Sequence, residues 1–192
     1  MIKEAIKKLV AGNDLAFDEA AQVMDEMFSG TATQSQMAAY LTALRIKGET
    51  IDEITASAQV MREKALHIKP NRDVLDIVGT GGDGTGTFNI STTAAFIIAA
   101  AGIPVAKHGN RSMSSKSGSA DCLEQLGINI NISPEKSEEV LNKAGICFMF
   151  AQGYHSSMKY VGPVRKEIGI RNIFNVLGHL TNPAGADLQV TG

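Results

Sequence analysis

The hydrophobic period changes at Lys69-Pro70-Asn71-Arg72, and the change divides what the chain on either side can become. Before it, apolar residues recur three and four positions apart, as on one face of a helix. After it, apolar runs of strand length alternate with helical stretches, which argues for a parallel sheet with crossover helices. Proline and the residue before it both resist continuing a helix, so 69–72 reads as a linker. The expected fold is therefore an α-helical domain over residues 1–70, followed by a largely parallel α/β sheet domain over 71–192.

Four amphipathic helices are expected in the first part. Ile2, Ile6, Leu9 and Val10 form one stripe, and Phe17, Ala21, Met24 and Phe28 another. Thr33-Gln34-Ser35-Gln36 and Thr50-Ile51-Asp52-Glu53 fit the capping box, in which a hydroxyl and an amide or carboxylate satisfy the free donors at a helix start. Met37, Tyr40, Leu41 and Leu44 follow the first box, with Gly48 as the stop. Ile54, Ala58, Met61 and Ala65 follow the second. In the second part, 74–78, 103–106 and 146–150 read as strands, and 91–101, 119–126 and 133–144 as helices. Ser133 suits a cap with Pro134 in the first helical position. Helical periodicity resumes after Gly153. Pro163 is expected in the first turn of a helix that contains Arg165 and closes at Gly169, with 170–177 helical again. This segment, about 154–180, is expected to pack with the N-terminal helices. There is no internal repeat and no low-complexity tract.

Composition removes several classes of function. A net charge of −2 gives no overall attraction to nucleic acid or to an acidic membrane. The N-terminus is charged and amphipathic, unlike a signal peptide, and no apolar run reaches about 18 residues. A cytoplasmic location without membrane contact is expected. Cys122 and Cys147 lack CxxC or Cys/His metal spacing and read as buried free thiols. His108, His155 and His179 have no metal-ligand spacing, and His67 reads as a surface or C-capping residue.

Two glycine-rich segments carry the chemistry. Residues 79–86 hold five glycines in eight positions together with Asp83, more than a turn between strand and helix needs. The segment is neither the dinucleotide G-x-G-x-x-G leading straight into a helix nor a P-loop ending in Gly-Lys-Ser. It runs through Asn89 toward a helix whose start offers unpaired N–H groups and partial positive charge to an anion, with Ser91 or Asn89 available as cap. Ser91 or Thr92 can add a hydroxyl to phosphate or magnesium. The second segment, 105–121, carries Lys107, Arg111 and Lys116 among serines and glycines. Lys107 is expected to leave the second strand directly and point at the same mouth. Lys116 reads equally as a solvated loop cation or a ligand. Two such loops point to a ligand with two separate phosphate groups. Arg165 is the candidate for a substrate carboxylate, because its planar fork matches two oxygens; a surface salt bridge is the alternative.

Taken together, Gly79-Thr-Gly-Gly-Asp83, Asn89-Ile-Ser-Thr92, Lys107-His-Gly-Asn-Arg-Ser112 and Ser117-Gly-Ser-Ala-Asp121 closely resemble anthranilate phosphoribosyltransferase of tryptophan biosynthesis. Ala43-Leu-Arg-Ile-Lys-Gly48, His155-Ser-Ser-Met-Lys-Tyr160, Pro163-Val-Arg-Lys-Glu-Ile-Gly-Ile-Arg171 and Ile173-Phe-Asn175 extend the resemblance over essentially the whole chain. It implies transfer of a 5-phosphoribosyl group from phosphoribosyl pyrophosphate to the amine of anthranilate, with Mg2+ present and pyrophosphate released. It implies a donor site of Gly79, Gly82, Asp83, Thr87, Asn89, Ile90, Ser91, Thr92, Lys107, His108, Gly109, Asn110, Arg111, Ser112, Met113, Ser114, Ser115 and Ser119. Ser91 is implied as a metal ligand, and Gly79, Asn110 and Arg165 as anthranilate ligands. No covalent nucleophile or acid/base residue is implied. The resemblance also suggests a homodimer through the helical domain.

Two departures from the family pattern stand out. Gly178-His179-Leu180-Thr181-Asn182-Pro183 has His179 where the family usually has proline, which removes a fixed φ and adds a polar ring on the acceptor side. The family also continues past the position of Gly192, with an adjacent Asp-Glu pair that helps bind magnesium. On that basis the α/β domain is expected to be truncated, with an apolar edge or face exposed. The alternatives are a pyrimidine nucleoside phosphorylase-like enzyme, a non-catalytic nucleic-acid-binding relative, and a dimerising fragment.

Overall fold

The computed structural model describes residues 1–79, 87–112 and 117–192. Its first part forms helices α1 (Ile2–Val10), α2 (Phe17–Phe28), α3 (Gln34–Lys47) and α4 (Ile51–Glu63). Then follow β1 (Leu75–Val78), α5 (Ile90–Ala100), β2 (Val105–Gly109), α6 (Ser119–Gln125), α7 (Pro134–Ala144) and β3 (Ile146–Phe150). The chain closes with α8 (Ala151–Tyr154), α9 (Met158–Ile168), α10 (Phe174–Leu180) and β4 (Leu188–Thr191). These elements divide into two compact units: Met1–Ala65 with His155–Thr181, and Leu66–Tyr154 with Asn182–Gly192. Among the described residues, no helix is long and apolar enough to cross a membrane.

The helical unit is built by its caps and stripes. Thr33 and Thr50 each accept from the backbone N–H three residues on, while Gln36 and Glu53 return a bond to the cap residue's own N–H. Gly48 closes α3 at φ 90°, in the region that side chains rarely adopt. Met24, Met27, Tyr40, Leu41 and Leu44 are among the fully buried side chains, and Val161, Ile173 and Leu177 of the later segment join the same core. Phe28 and Phe174 meet at 6.0 Å in a tilted pair. Val10 departs from its expected stripe: it is 74% exposed, and Ala5 takes the inward place between Ile2 and Leu9.

Glu53 does more than cap. It is fully buried, and its two carboxylate oxygens accept from Leu15 N at 2.9 Å, Thr50 N at 2.8 Å and Lys47 Nζ at 3.0 Å. Lys47 also reaches Asp14 at 2.6 Å. One carboxylate therefore ties the α1–α2 connection to the end of α3 and the start of α4. Pro163 also differs from expectation. α9 begins at Met158, so Pro163 lies inside the helix rather than in its first turn. Its ring cannot bond the Lys159 carbonyl, a loss that is tolerable because Pro163 is solvent-exposed. Gly169 ends α9 in the left-handed region, as expected.

The α/β unit has one four-stranded sheet in the order β3-β2-β1-β4, parallel throughout. α7 starts as anticipated, with Ser133 as its cap and Pro134 at its first position. Two elements were not anticipated, the single turn of α8 and the edge strand β4. β4 pairs with β1 in register from Leu75↔Leu188 to Val78↔Thr191, yet all four of its residues are exposed. α5 is apolar all round, and it too leaves Phe96 and Ile97 exposed, at 39% and 66%. Both cysteines are free; Cys147 is buried in β3 with its thiol pushed up to about 12 by burial, whereas Cys122 is only half-buried. The burial expected of Cys122 is corrected accordingly, because α6 turns that position partly toward solvent.

Candidate functional site

Because β1 and β2 are parallel neighbours, their carboxyl ends open on the same side, and both glycine-rich segments leave from there. Gly79 follows β1 directly. A Cβ at Gly79 would stand 3.1 Å from Ser91 Oγ, so the start of α5 lies against the end of β1. Asn89 is the N-cap of α5 but forms no side-chain cap bond. Its Nδ2 instead donates to Ser117 Oγ at 3.4 Å, joining the end of the first segment to the second. Ser91 therefore sits inside the helix, half-buried, with Thr92 buried beside it. Thr87 and Ile90 are exposed.

Lys107 is placed differently from the expectation. β2 runs on to Gly109, so Lys107 is a strand residue, 4% exposed, with Nζ donating to the carbonyl of Ile77. Burial pushes its pKa down to about 8, against the opposing pull of the Asp76 carboxylate. Asp76 is itself fully buried in β1. It accepts from His108 N and from Gln189 Nε2, each at 3.3 Å, and so ties β1 to both its neighbours. At Gly109 a Cβ would meet the Phe148 ring at 2.8 Å, so β2 can end there only as glycine unless the ring moves.

Asn110 is exposed. Its backbone oxygen accepts from Ser119 Oγ at 3.2 Å and Ala120 N at 3.3 Å, and its Oδ1 accepts from Arg111 N at 2.8 Å. Arg111 turns away to α6. Its guanidinium binds both oxygens of Glu124 and Oδ1 of Asp121, and lies 5.5 Å over the Phe150 ring. The other oxygen of Asp121 accepts from Gly118 N at 2.8 Å and Ser112 N at 3.1 Å. These bonds and the Arg111 charge hold the Asp121 carboxyl below its usual range. The expectation gave Asp121 and Glu124 no role. Their signal was present: Gly118-x-x-Asp121 has capping-box spacing, and positions three apart share a helix face.

Arg165 belongs to the helical unit, on the last turn of α9, whereas Gly79 and Asn110 belong to the α/β unit. It forms no ion pair among the described residues, so the surface salt bridge drops out as its explanation. Its guanidinium lies 5.2 Å over the Phe174 ring, and its buried Nε has no hydrogen-bond acceptor. Burial lowers its pKa. A planar cation stacked on a ring is suited to receive a planar anion. Gly82, Asp83, Met113, Ser114, Ser115 and Lys116 lie outside the described residues. Among the described residues, no group of three or more His, Cys, Asp or Glu is arranged to hold a metal ion.

Residues 71–192 match the glycosyl transferase family a/b domain, and residues 3–65 match the helical bundle domain of the same family. The chain belongs to the glycosyl transferase family. Within it, the chain is 60% identical to the anthranilate phosphoribosyltransferase of Ruminiclostridium cellulolyticum over 192 residues, which is 100% of this chain and 56% of that protein. The crystal structure of the anthranilate phosphoribosyltransferase from Thermus thermophilus superposes with a TM-score of 0.91 at 48% identity, covering 98% of this chain and 57% of the other. The Saccharomyces cerevisiae enzyme in complex with phosphoribosyl pyrophosphate and Mg superposes with a TM-score of 0.89 at 27% identity, covering 100% and 58%. The chain thus spans a little over half the length of the relatives it matches. The helical domain followed by a parallel α/β sheet, expected from the period change, is the architecture of this family. Its relatives here carry the anthranilate name, not that of a pyrimidine nucleoside phosphorylase.

Proposed function

We propose that this chain carries the donor and acceptor residues of an anthranilate phosphoribosyltransferase, which moves the 5-phosphoribosyl group of phosphoribosyl pyrophosphate to anthranilate in tryptophan biosynthesis. The observation that carries the reading is the meeting of the two glycine-rich segments at the carboxyl ends of β1 and β2, through the Asn89–Ser117 contact. The resemblance puts the donor along Gly79, Thr87, Asn89, Ile90, Ser91 and Thr92, and assigns Gly82 and Asp83 to it as well. It likewise assigns Lys107, His108, Gly109, Asn110, Ser112 and Ser119 to the donor, together with Met113, Ser114 and Ser115.

The reaction breaks the anomeric C–O bond, and pyrophosphate leaves with the bonding pair while positive charge develops on the ribose. The amine lone pair of anthranilate then forms the C–N bond, and the nitrogen gives up a proton to solvent. An aromatic amine needs no covalent help, so positioning and charge stabilisation are what the chain supplies. Lys107 suits the leaving group: an arriving phosphate favours its charged form and reverses the effect of burial. The resemblance assigns the anthranilate carboxylate to Arg165, whose planar fork matches two oxygens, and names Asn110 and Gly79 as further acceptor ligands. The Ser91 hydroxyl, 3.1 Å from where a Gly79 Cβ would stand, is the oxygen that would hold Mg2+. One protein oxygen suffices there, since Mg2+ is commonly held by few protein ligands plus substrate phosphates. When bound it neutralises charge on the pyrophosphate.

A homodimer through the helical domain fits the exposure of Val10, Ile46 and Ile51 in that unit, at 74%, 81% and 82%. A cytoplasmic location fits a biosynthetic enzyme with a small-molecule donor. The test is to follow anthranilate fluorescence with phosphoribosyl pyrophosphate and Mg2+. The expected result is loss of signal that Arg165→Ala reduces at least tenfold. Equal loss with Arg165→Ala, or consumption of thymidine and phosphate instead, would overturn the acceptor assignment.

A further inference from the structure

The stretch 110–112 is stapled to the start of α6 by acidic side chains of that helix, and Arg111 is the bolt. Two stretches meet there, 110–112 leaving β2 and 117–121 entering α6. Their backbones pass so closely that a Cβ at Gly118 would fall 2.7 Å from Arg111 C and 2.8 Å from Asn110 O. Ser119 and Ala120 bond back to Asn110 O, and a single Asp121 oxygen accepts from Ser112 N and Gly118 N together. Asp121 thus bonds the backbone N–H groups of both stretches, and its second oxygen is held by Arg111.

The resemblance implied that Arg111 contacts the donor. The local charge argues otherwise. One guanidinium against two carboxylates leaves a net negative cluster, which repels phosphate rather than attracting it. Three of its five N–H donors are engaged, two on Nη1 with Asp121 and Glu124 and one on Nη2 with Glu124 at 2.9 Å, and its face lies on Phe150. We propose that Arg111 is a positioning residue: with Glu124 it orients Asp121, and Asp121 fixes the two stretches at the spacing the phosphoribosyl donor requires. The ion pairs themselves are 31–43% exposed, so they add little to overall stability. Their effect is on geometry. The part of this inference that concerns donor affinity rests on the proposed function; the staple itself does not.

The experiment titrates the chain calorimetrically with phosphoribosyl pyrophosphate and Mg2+, and separately measures amide hydrogen exchange at Ser112 and Gly118 without ligand. Glu124→Gln gives the two roles opposite signs. If Arg111 is a positioning residue, Glu124→Gln weakens donor binding about tenfold and speeds exchange at both amides. If Arg111 is a phosphate ligand, the same change frees it and leaves binding unchanged or tighter, which overturns the proposal. Arg111→Lys keeps the charge but loses the fork, so it should bind donor as weakly as Arg111→Gln; rescue by lysine also overturns the proposal. Should the unsubstituted chain take up no donor, the proposed function fails for this chain. Exchange then decides: faster exchange at Ser112 and Gly118 in Arg111→Gln upholds the staple, and unchanged exchange removes it.

Discussion

Two charged networks with the same ingredients do opposite work in this molecule. In the helical unit, Glu53 is fully buried and shared by Lys47 and two backbone N–H groups, with Asp14 at the rim. In the α/β unit, Arg111, Asp121 and Glu124 make a comparable set of bonds on the surface. Water separates the two cases. Removing one member of a buried pair strands the rest without solvent, whereas an exposed pair exchanges its partner for water at little cost. The first network therefore sets stability and the second sets geometry beside the candidate site.

The largest effect expected is that of Glu53→Ala. It takes one of two carboxylate partners from the buried Lys47 ammonium and leaves the N–H groups of Leu15 and Thr50 without their acceptor, and should cost about 3–5 kcal/mol in denaturant unfolding. A loss below about 1 kcal/mol would erase the contrast.

Lys107 sharpens the comparison, because it is buried yet stands at the site. Its folded pKa of about 8 lies below the ordinary 10.5. Between those values the unfolded chain keeps a proton that the folded chain has released, so stability rises with pH through that window. Below pH 8 the penalty is present in full, on the order of 3 kcal/mol for a shift of this size. Lys107→Met should flatten the pH 8–10.5 slope in chemical melts relative to the unsubstituted chain. Parallel slopes would mean that the lysine is solvated.

The smallest effect on stability belongs to Glu124→Gln, whose unfolding free energy should stay within about 1 kcal/mol of the original. A larger loss would mean that the surface network also builds the fold.

Much of this was legible in the chain. The capping boxes at Thr33 and Thr50, the Ser133-Pro134 start and the strand at 146–150 each carry a local signal that needs no tertiary context. β4 carries none: Leu188-Gln189-Val190-Thr191 is short and exposed on both faces, and is a strand only because β1 offers an open ladder. Lys107 misled for a related reason. A lysine argues locally for a strand's end, but the sheet continues through it because Ile77 O and Asp76 receive its charge in the interior. Glu53 was legible as a cap but not as a buried hub, since its contacts with Leu15 and Lys47 are long-range or depend on the turn at Gly48. At the site, glycine content marked the two segments where backbone comes close, and the structure adds the close approach at Gly118. Glycine content could not tell that Arg111 faces two carboxylates.

The most direct measurement compares Glu53→Gln and Glu124→Gln side by side, by calorimetric titration with phosphoribosyl pyrophosphate and Mg2+ at a temperature where both remain folded. The expected result is an unchanged Kd for Glu53→Gln and a Kd about ten times weaker for Glu124→Gln. Equal affinities for the two, or a loss confined to Glu53→Gln, would contradict the division of labour between the buried network and the exposed one.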